Sequence, residues 1–247
     1  MRIKELGKVV ETLTPPSIQR KNRERVITVS AVVGRGEALS DAAAAAEQAI
    51  AETEIPSELA VKIGGSVEDQ KDTFADLIML LVMIIILVYI VMASQFESFM
   101  SPFVIMFSIP FAFVGVILGL IVTGTPLGVM GMIGILILMG IVVKNGIVLI
   151  DYTILMRERG HSIAEASIIA AKSRLRPILM TTLTTVLGMV PMAIGTGEGS
   201  EMWRSLGMVV AWGLSISTLV TLVIIPTVYA SMASWQVRRA ARKAAKK

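Results

Sequence analysis

Apolar residues fall along this chain in long unbroken blocks, and only the first third shows finer patterning. Five stretches suffice to cross about 30 Å of hydrocarbon as helices, which takes roughly 20 residues. They are residues 75–94, 102–122, 128–152, 177–194 and 206–231. Ahead of them, "ITVSAVV" places Ile27, Val29, Ala31 and Val33 on one face, the alternation of a half-buried strand. "SDAAAAAEQAIAET" follows with Ser40 as N-cap and a row of strong helix formers. "ELAVKIGG" returns to strand periodicity at Leu59, Val61 and Ile63. Strand, helix and strand make a βαβ unit, too small to hold a core alone. "SIQRKNRERV" predicts a hairpin turning near Asn22, and "SVEDQKDTFAD" predicts a helix that runs into the first span. The expected fold is therefore an α-helical membrane protein of five transmembrane helices with an N-terminal α/β portion. Residues 1–73 form that portion, 74–232 the membrane domain and 233–247 a basic tail.

Composition agrees: 54% of residues are hydrophobic and 17% charged, against about a quarter charged in soluble domains. The chain has no cysteine, which removes disulfides, thiolate metal sites and thiol nucleophiles. Its single histidine, His161, falls in a polar loop and reads as solvated. No phosphate loop, HExxH, GxSxG or dinucleotide fingerprint occurs. The expectation is no enzyme, no catalytic residue, no metal and no bound cofactor.

Charge sets the orientation. Arg157, Arg159, Lys172, Arg174 and Arg176 lie between the third and fourth spans, and "RRAARKAAKK" closes the chain, whereas "GTPLG" carries no basic residue. The positive-inside rule makes the third loop and the tail cytoplasmic, and five spans then put residues 1–73 outside. After an apolar span the tail reads as a membrane anchor, not a nucleic-acid arm. Ten Lys and Arg in residues 1–73 are tolerable in a long translocated domain, but "MRIKELGKVVETL" has no signal-peptide core. The chain is expected to be one portion of a longer or split protein.

The chemistry gathers in the last three spans. Lys144 stands eight residues before Tyr152, about 12 Å from the expected cytoplasmic end. Helical side chains lean toward the N-terminus, which carries this ammonium deeper. A lysine at mid-membrane costs roughly 2.5–3.5 kcal/mol on insertion scales, so it requires protein or water around it and a partner. Asp151 shares nearly the same face but lies about 10 Å along the axis, where it would cap or hydrate a helix end. "MTTLTT" contributes the hydroxyls of Thr181, Thr182, Thr184 and Thr185 without charge. No carboxylate in the five spans matches Lys144 in depth, so its counter-charge is expected on another chain or another part of this protein. The competing account is a snorkelling lysine with threonines bonded to their own backbone. Gly115 and Gly119 form GxxxG, and with Gly131 and Gly134 they predict close helix packing. Pro110, Pro191 and Pro226 interrupt spans. Ser162 and Glu165 form a capping box opening an amphipathic surface helix over 162–174.

"GIVVKNGIVLIDY", "RLRPILMTTLTTVLGMVPMAIGTGEGSE" and "IIPTVY" resemble the C-terminal end of resistance-nodulation-division (RND) transporters. The Lys-Asn pair with RLRPILMT resembles the hydrophobe/amphiphile efflux branch more than the heavy-metal branch. The resemblance covers essentially the whole chain and makes the spans helices eight to twelve of that fold. It implies that Lys144, with Asn145 beside it, matches the proton-relay lysine, Thr181 the relay threonine, with Thr182 and Asp151 in support, and Arg174 an arginine tuning the cytoplasmic side. The proton-accepting carboxylate pair belongs to the first half of such transporters, which this sequence does not contain. The resemblance implies an inner-membrane homotrimer driven by the proton-motive force. It would work with the N-terminal half, a periplasmic adaptor and an outer-membrane channel, and export amphiphilic compounds. A non-transporting scaffold, a truncated product and a protein-export accessory are the alternatives.

The charge pattern makes a direct prediction. Reporter fusions at Gly64, Gly160 and Lys247 in the assembled membrane protein are expected to read outside, inside and inside. A cytoplasmic signal at Gly64 would overturn the five-span topology.

Overall fold

The computed structural model describes residues 17–21, 23–33, 39–56, 59–195 and 200–244, excluding the side chains of residues 40, 201 and 236–244. The positions expected to carry the N-terminal segment, the loop after the fourth span and the basic charges of the tail fall outside these residues. The chain divides into a small unit, residues 1–37, and a large one, residues 38–247.

In the small unit β1 (Gln19–Lys21) pairs antiparallel with β2 (Glu24–Val26), with Arg20 opposite Arg25. Arg23 takes a positive φ of 72° in the connecting turn. Thr28 adds a hydroxyl bond to the Gln19 side chain at 3.3 Å. The strand expected over 27–33 is irregular, with no ladder partner among the described residues, and Ile27 and Val29 are 93% and 91% exposed. Residues 59–64 of the large unit likewise form no strand among the described residues. Neither outer strand of the expected βαβ unit is built here. The physical reason is that a strand is stabilised by its neighbours, and two or three short segments cannot cover one another's apolar face.

The large unit is helical. α1 (Leu39–Glu52) includes Ser40, which therefore does not precede the helix as a cap. The α1 residue Glu47 meets Lys71 of α2 at 3.6 Å. α2 (Ser66–Gln95) runs unbroken from a polar first turn with Glu68 and Asp69 into apolar sequence. The second span, expected as one helix, divides at Phe107 into α3 (Met100–Met106) and α4 (Ser108–Thr123). Pro110 explains the break: it has no N–H to donate to Met106, and its ring crowds that carbonyl. The Phe107 N–H turns to Val104 O at 3.2 Å, and the Ser108 hydroxyl donates to Ile105 O at 2.7 Å.

α5 (Val129–Glu158) extends past the expected end at Tyr152. Its stop is a Schellman turn: His161 N–H donates to Met156 O and Gly160 N–H to Arg157 O, with Gly160 at φ 93°. α6 (Ile163–Ile194) opens with the expected capping box, the Ser162 hydroxyl accepting from Glu165 N–H and the Glu165 carboxylate accepting from Ser162 N–H. The separate surface helix expected over 162–174 and the span expected over 177–194 are one helix with Pro177 inside it. A proline within a helix removes one backbone bond, which membrane helices tolerate when neighbours pack along them. α7 (Ser200–Ala244) carries Pro226 in the same way and outruns the expected 206–231. Five of these helical segments, with α3 and α4 counted together, are long and apolar enough to span a membrane.

Packing centres on α7. A side chain at Gly119 of α4 would collide with Trp212, and one at Gly115 would press on Gly213 and Ile216. Gly131 and Gly134 of α5 face Ser205, Leu206 and Val209, and Gly207 of α7 faces Ala193 of α6. Van der Waals contact is the main force between helices in lipid, so absent side chains set how close they come. Replacing Gly119 by Leu is expected to destabilise the α4–α7 contact by about 1–3 kcal/mol. Thermal unfolding in detergent measures this. The same change at Gly140, where an added Cβ meets nothing within 4 Å, should leave stability nearly unchanged.

Candidate functional site

The candidate residues lie on three helices whose levels can be compared. The Arg174 guanidinium of α6 stacks over the Tyr152 ring of α5, 4.6 Å from its centroid. The two helices of the hairpin are antiparallel, so going back along α5 and forward along α6 from that anchor leads the same way in space. Lys144 is eight residues back from Tyr152 and Thr182 eight residues on from Arg174, each about 12 Å along the axis. Thr181 is one residue nearer. The threonine pair and Lys144 therefore share one depth.

α7 joins this layer. Gly131 of α5 faces Ser205 and Gly146 faces Ile225, so α5 and α7 run parallel. Thirteen residues on from Ser205 is Thr218, and two back from Ile225 is Val223; these bracket the level of Lys144. Thr182 and Thr218 share a hydrogen bond of 3.1 Å between their hydroxyls, linking α6 to α7. Ser217, Thr218 and Thr221 are 1–2% exposed, and the Ser217 and Thr221 hydroxyls have no hydrogen-bond partner among the described residues. Asn145 is buried at the same level. A layer of hydroxyl and amide groups thus crosses the bundle at the depth of Lys144.

Lys144 itself faces away from this packing. Before its last turn the exposed positions of α5 are Ile137, Gly140, Lys144, Asp151 and Leu155, and their spacing puts them on one stripe. No hydrogen bond or ion pair engages Lys144 among the described residues. Asp151 shares the stripe, about 10 Å away along the axis. It does not cap the helix end as expected, because α5 continues through Glu158.

The other expected residues separate in role. Thr181 is exposed, its hydroxyl donating to Ile178 O at 3.0 Å, while Thr182 is buried and makes the interhelical bond. Thr184 and Thr185 donate to Met180 O and Thr181 O, as expected for lone threonines on a helix. Arg174 Nε is buried and unpaired, and among the described residues the guanidinium meets the Tyr152 ring and no carboxylate. Ser217, Thr218, Thr221 and Tyr152 were not singled out from sequence. The signal for the first three was available in "LSISTLVTL": polar positions one and four apart on an otherwise apolar helix, which form one narrow stripe.

Several apolar spans, a lysine at mid-depth and a polar layer at its level define a multi-pass membrane protein of the transporter class. Comparison gives the family. The AcrB/AcrD/AcrF family matches residues 1–233, and the chain belongs to it, an RND transporter family. Cobalt-zinc-cadmium resistance protein CzcA of Cupriavidus metallidurans is 36% identical over 216 residues, 87% of this chain and 20% of that protein. Swarming motility protein SwrC of Bacillus subtilis is 36% identical over 244 residues, 97% of this chain and 23% of that protein. Multidrug resistance protein MdtC of Erwinia tasmaniensis is 35% identical over 219 residues, 88% and 21% respectively. A crystal structure of a heavy metal efflux pump superposes with a TM-score of 0.70 at 32% identity, covering 81% of this chain and 20% of that one. The chain thus spans about a fifth of its relatives' length. Those relatives include heavy-metal and multidrug proteins at nearly equal identity, so similarity does not single out the amphiphile branch that the Lys-Asn motif suggested.

The Thr182–Thr218 bond makes a measurable prediction. In a double-mutant cycle with Thr182→Val and Thr218→Val, the coupling energy is expected to be about 0.6 kcal/mol, the typical value for interhelical hydrogen bonds in membranes. Thermal or denaturant unfolding in detergent reads it. Strictly additive losses would mean that the pair does not join the helices.

Proposed function

We propose that this chain supplies the lysine side of the proton relay in a proton-driven efflux transporter of the bacterial inner membrane. The observation that carries the reading is Lys144: a cation at mid-depth, on the open stripe of α5, with no counter-charge among the described residues. Burying such a charge is tolerable only opposite an anion or water. A carboxylate pair on the complementary half of the transporter, lying against this stripe, satisfies that requirement. Protonation of the pair releases Lys144, and the resulting helix shift passes up α2, whose unbroken course from Ser66 ties the membrane to the preceding domain. Thr181 assists proton exchange with a hydroxyl, Asn145 fixes the packing beside the lysine, and Arg174 holds positive charge toward the cytoplasmic side. Asp151 and Thr182 support the helix positions.

The work is transport without covalent catalysis, with the proton gradient as its energy source and no bound cofactor. The residues before α2 face the periplasm and the C-terminus faces the cytoplasm. The assembly is a homotrimer with an adaptor and an outer-membrane channel, and its substrates are amphiphilic compounds. A second reading, export of divalent metal cations, is favoured by the 36% identity to the cobalt-zinc-cadmium resistance protein. Susceptibility to amphiphilic drugs and to zinc, cobalt and cadmium salts, measured in one strain lacking its own pumps, separates the two.

In the complete transporter, Lys144→Ala should leave the carboxylate pair uncompensated. A neighbouring cation normally lowers a carboxylate pKa by about 1–3 units. Without it the pair holds its protons to higher pH, and cycling stops while the protein still inserts. Lys144→Arg keeps the charge but replaces a compact ammonium with a planar fork, and should also be impaired. Thr181→Ala is expected to be milder. Efflux with membrane abundance measured alongside is the test; full efflux by Lys144→Ala at normal abundance would refute the relay.

A further inference from the structure

A recess of about 200 Å³ opens where the ends of α2 and α5 and the Tyr229 and Ala233 face of α7 meet the start of α3. Its polar walls are Ser98, Ser101, Arg157 and Tyr229, and its apolar walls include Phe96 and Ile154. Arg157 is exposed, and its Nη1 donates to the Tyr229 hydroxyl at 3.0 Å. Tyr229 is 4% exposed, so this bond pins the guanidinium to the recess wall. A guanidinium has five N–H donors, and no carboxylate pairs with this one among the described residues. Glu97 and Glu158, adjacent in sequence, do not line the recess. Ser101 is 6% exposed, and its hydroxyl makes no hydrogen bond among the described residues although it forms part of the same wall. The Ser101 hydroxyl, on the recess wall, is therefore free to donate to an acceptor bound there.

We propose that this recess binds the phosphodiester of an anionic membrane phospholipid, with Arg157 on the phosphate oxygens and the Ser101 hydroxyl as a second donor. A lipid fits better than a free phosphate because the recess lies at the ends of spanning helices and has apolar walls. Phe99 and Phe103, 78% and 51% exposed on the adjoining turn, continue that apolar surface toward the bilayer, where acyl chains would lie. Tyr89, whose hydroxyl donates to Phe99 O at 3.3 Å, ties this turn to α2. Occupancy would brace α2 against α5 and α7 at one end of the bundle. The inference needs only that these helix ends lie at a membrane boundary. It is independent of proton-driven transport, so failure of the Lys144 test leaves it standing.

The test uses the purified chain in detergent, titrated with phosphatidylglycerol, phosphatidylcholine or inorganic phosphate. Native mass spectrometry counts bound lipid, and thermal unfolding follows stabilisation. Phosphatidylglycerol is expected to bind and stabilise, and phosphatidylcholine to do so far less. Arg157→Gln should bind phosphatidylglycerol about tenfold more weakly, and Ser101→Ala about threefold. Arg159→Gln, two residues on, should bind like the parent chain. If Arg157→Gln fails to fold, Ser101→Ala and Arg157→Lys decide the matter, the latter keeping charge but losing the fork. Unchanged binding in both Ser101→Ala and the Arg157 variants would overturn the site. Equal affinity for inorganic phosphate, or equal stabilisation by phosphatidylcholine, would overturn the assignment to an anionic lipid.

Discussion

The close approach of α7 to three other helices is the constraint on which the membrane part depends. Each approach is made where a side chain is missing or small. Gly115 and Gly119 admit Trp212 and Ile216, Gly131 and Gly134 admit Ser205 and Val209, and Gly207 admits Ala193. In water, burial of apolar surface would drive such contacts almost regardless of detail. In lipid the surroundings are as apolar as the protein, and only fit and hydrogen bonding discriminate among packings. The glycines therefore set both the distances and the register of the bundle.

Register is what turns scattered polar residues into a layer. Ala193 opposite Gly207 and Thr182 opposite Thr218 fix α6 against α7 in an antiparallel match. Gly131 beside Ser205 and Gly146 beside Ile225 fix α5 in a parallel one. Together they bring Asn145, Thr182, Ser217, Thr218 and Thr221 to the depth of Lys144. A slip of one turn, about 5.4 Å, would separate the hydroxyl pair and move the lysine out of the polar level. The aromatic and tyrosine contacts of Arg174 and Arg157 hold the same register nearer the helix ends.

The face of α5 that carries Lys144 and Asp151 takes no part in this packing. The charges lie on one side of α5 and the glycines that pack against α7 on another, so any shift of α5 that answers a charge at Lys144 also works on the seam with α7. Pro177 and Pro191 on α6 and Pro226 on α7 each leave a carbonyl without its usual donor. Such positions bend at lower cost than a regular helix does.

The amino-acid sequence by itself determined the number of spans, their approximate places, the isolation of Lys144 from any carboxylate of equal depth, and the capping box at Ser162. These follow from run length, charge position and local hydrogen bonding, all of which are properties of neighbours along the chain. Family motifs were legible for the same reason. Tertiary structure alone decided that 162–174 and 177–194 are one helix, that the second span breaks at Phe107, and that residues 27–33 and 59–64 find no ladder. It also decided that Thr182, not Thr181, faces α7, and that Ser217 and Thr221 are buried without partners. A strand exists only with its partner, and the side of a uniformly apolar helix that meets protein has no signature in hydrophobicity. Where lipid and protein interior are equally apolar, only the packed neighbours determine which face is which.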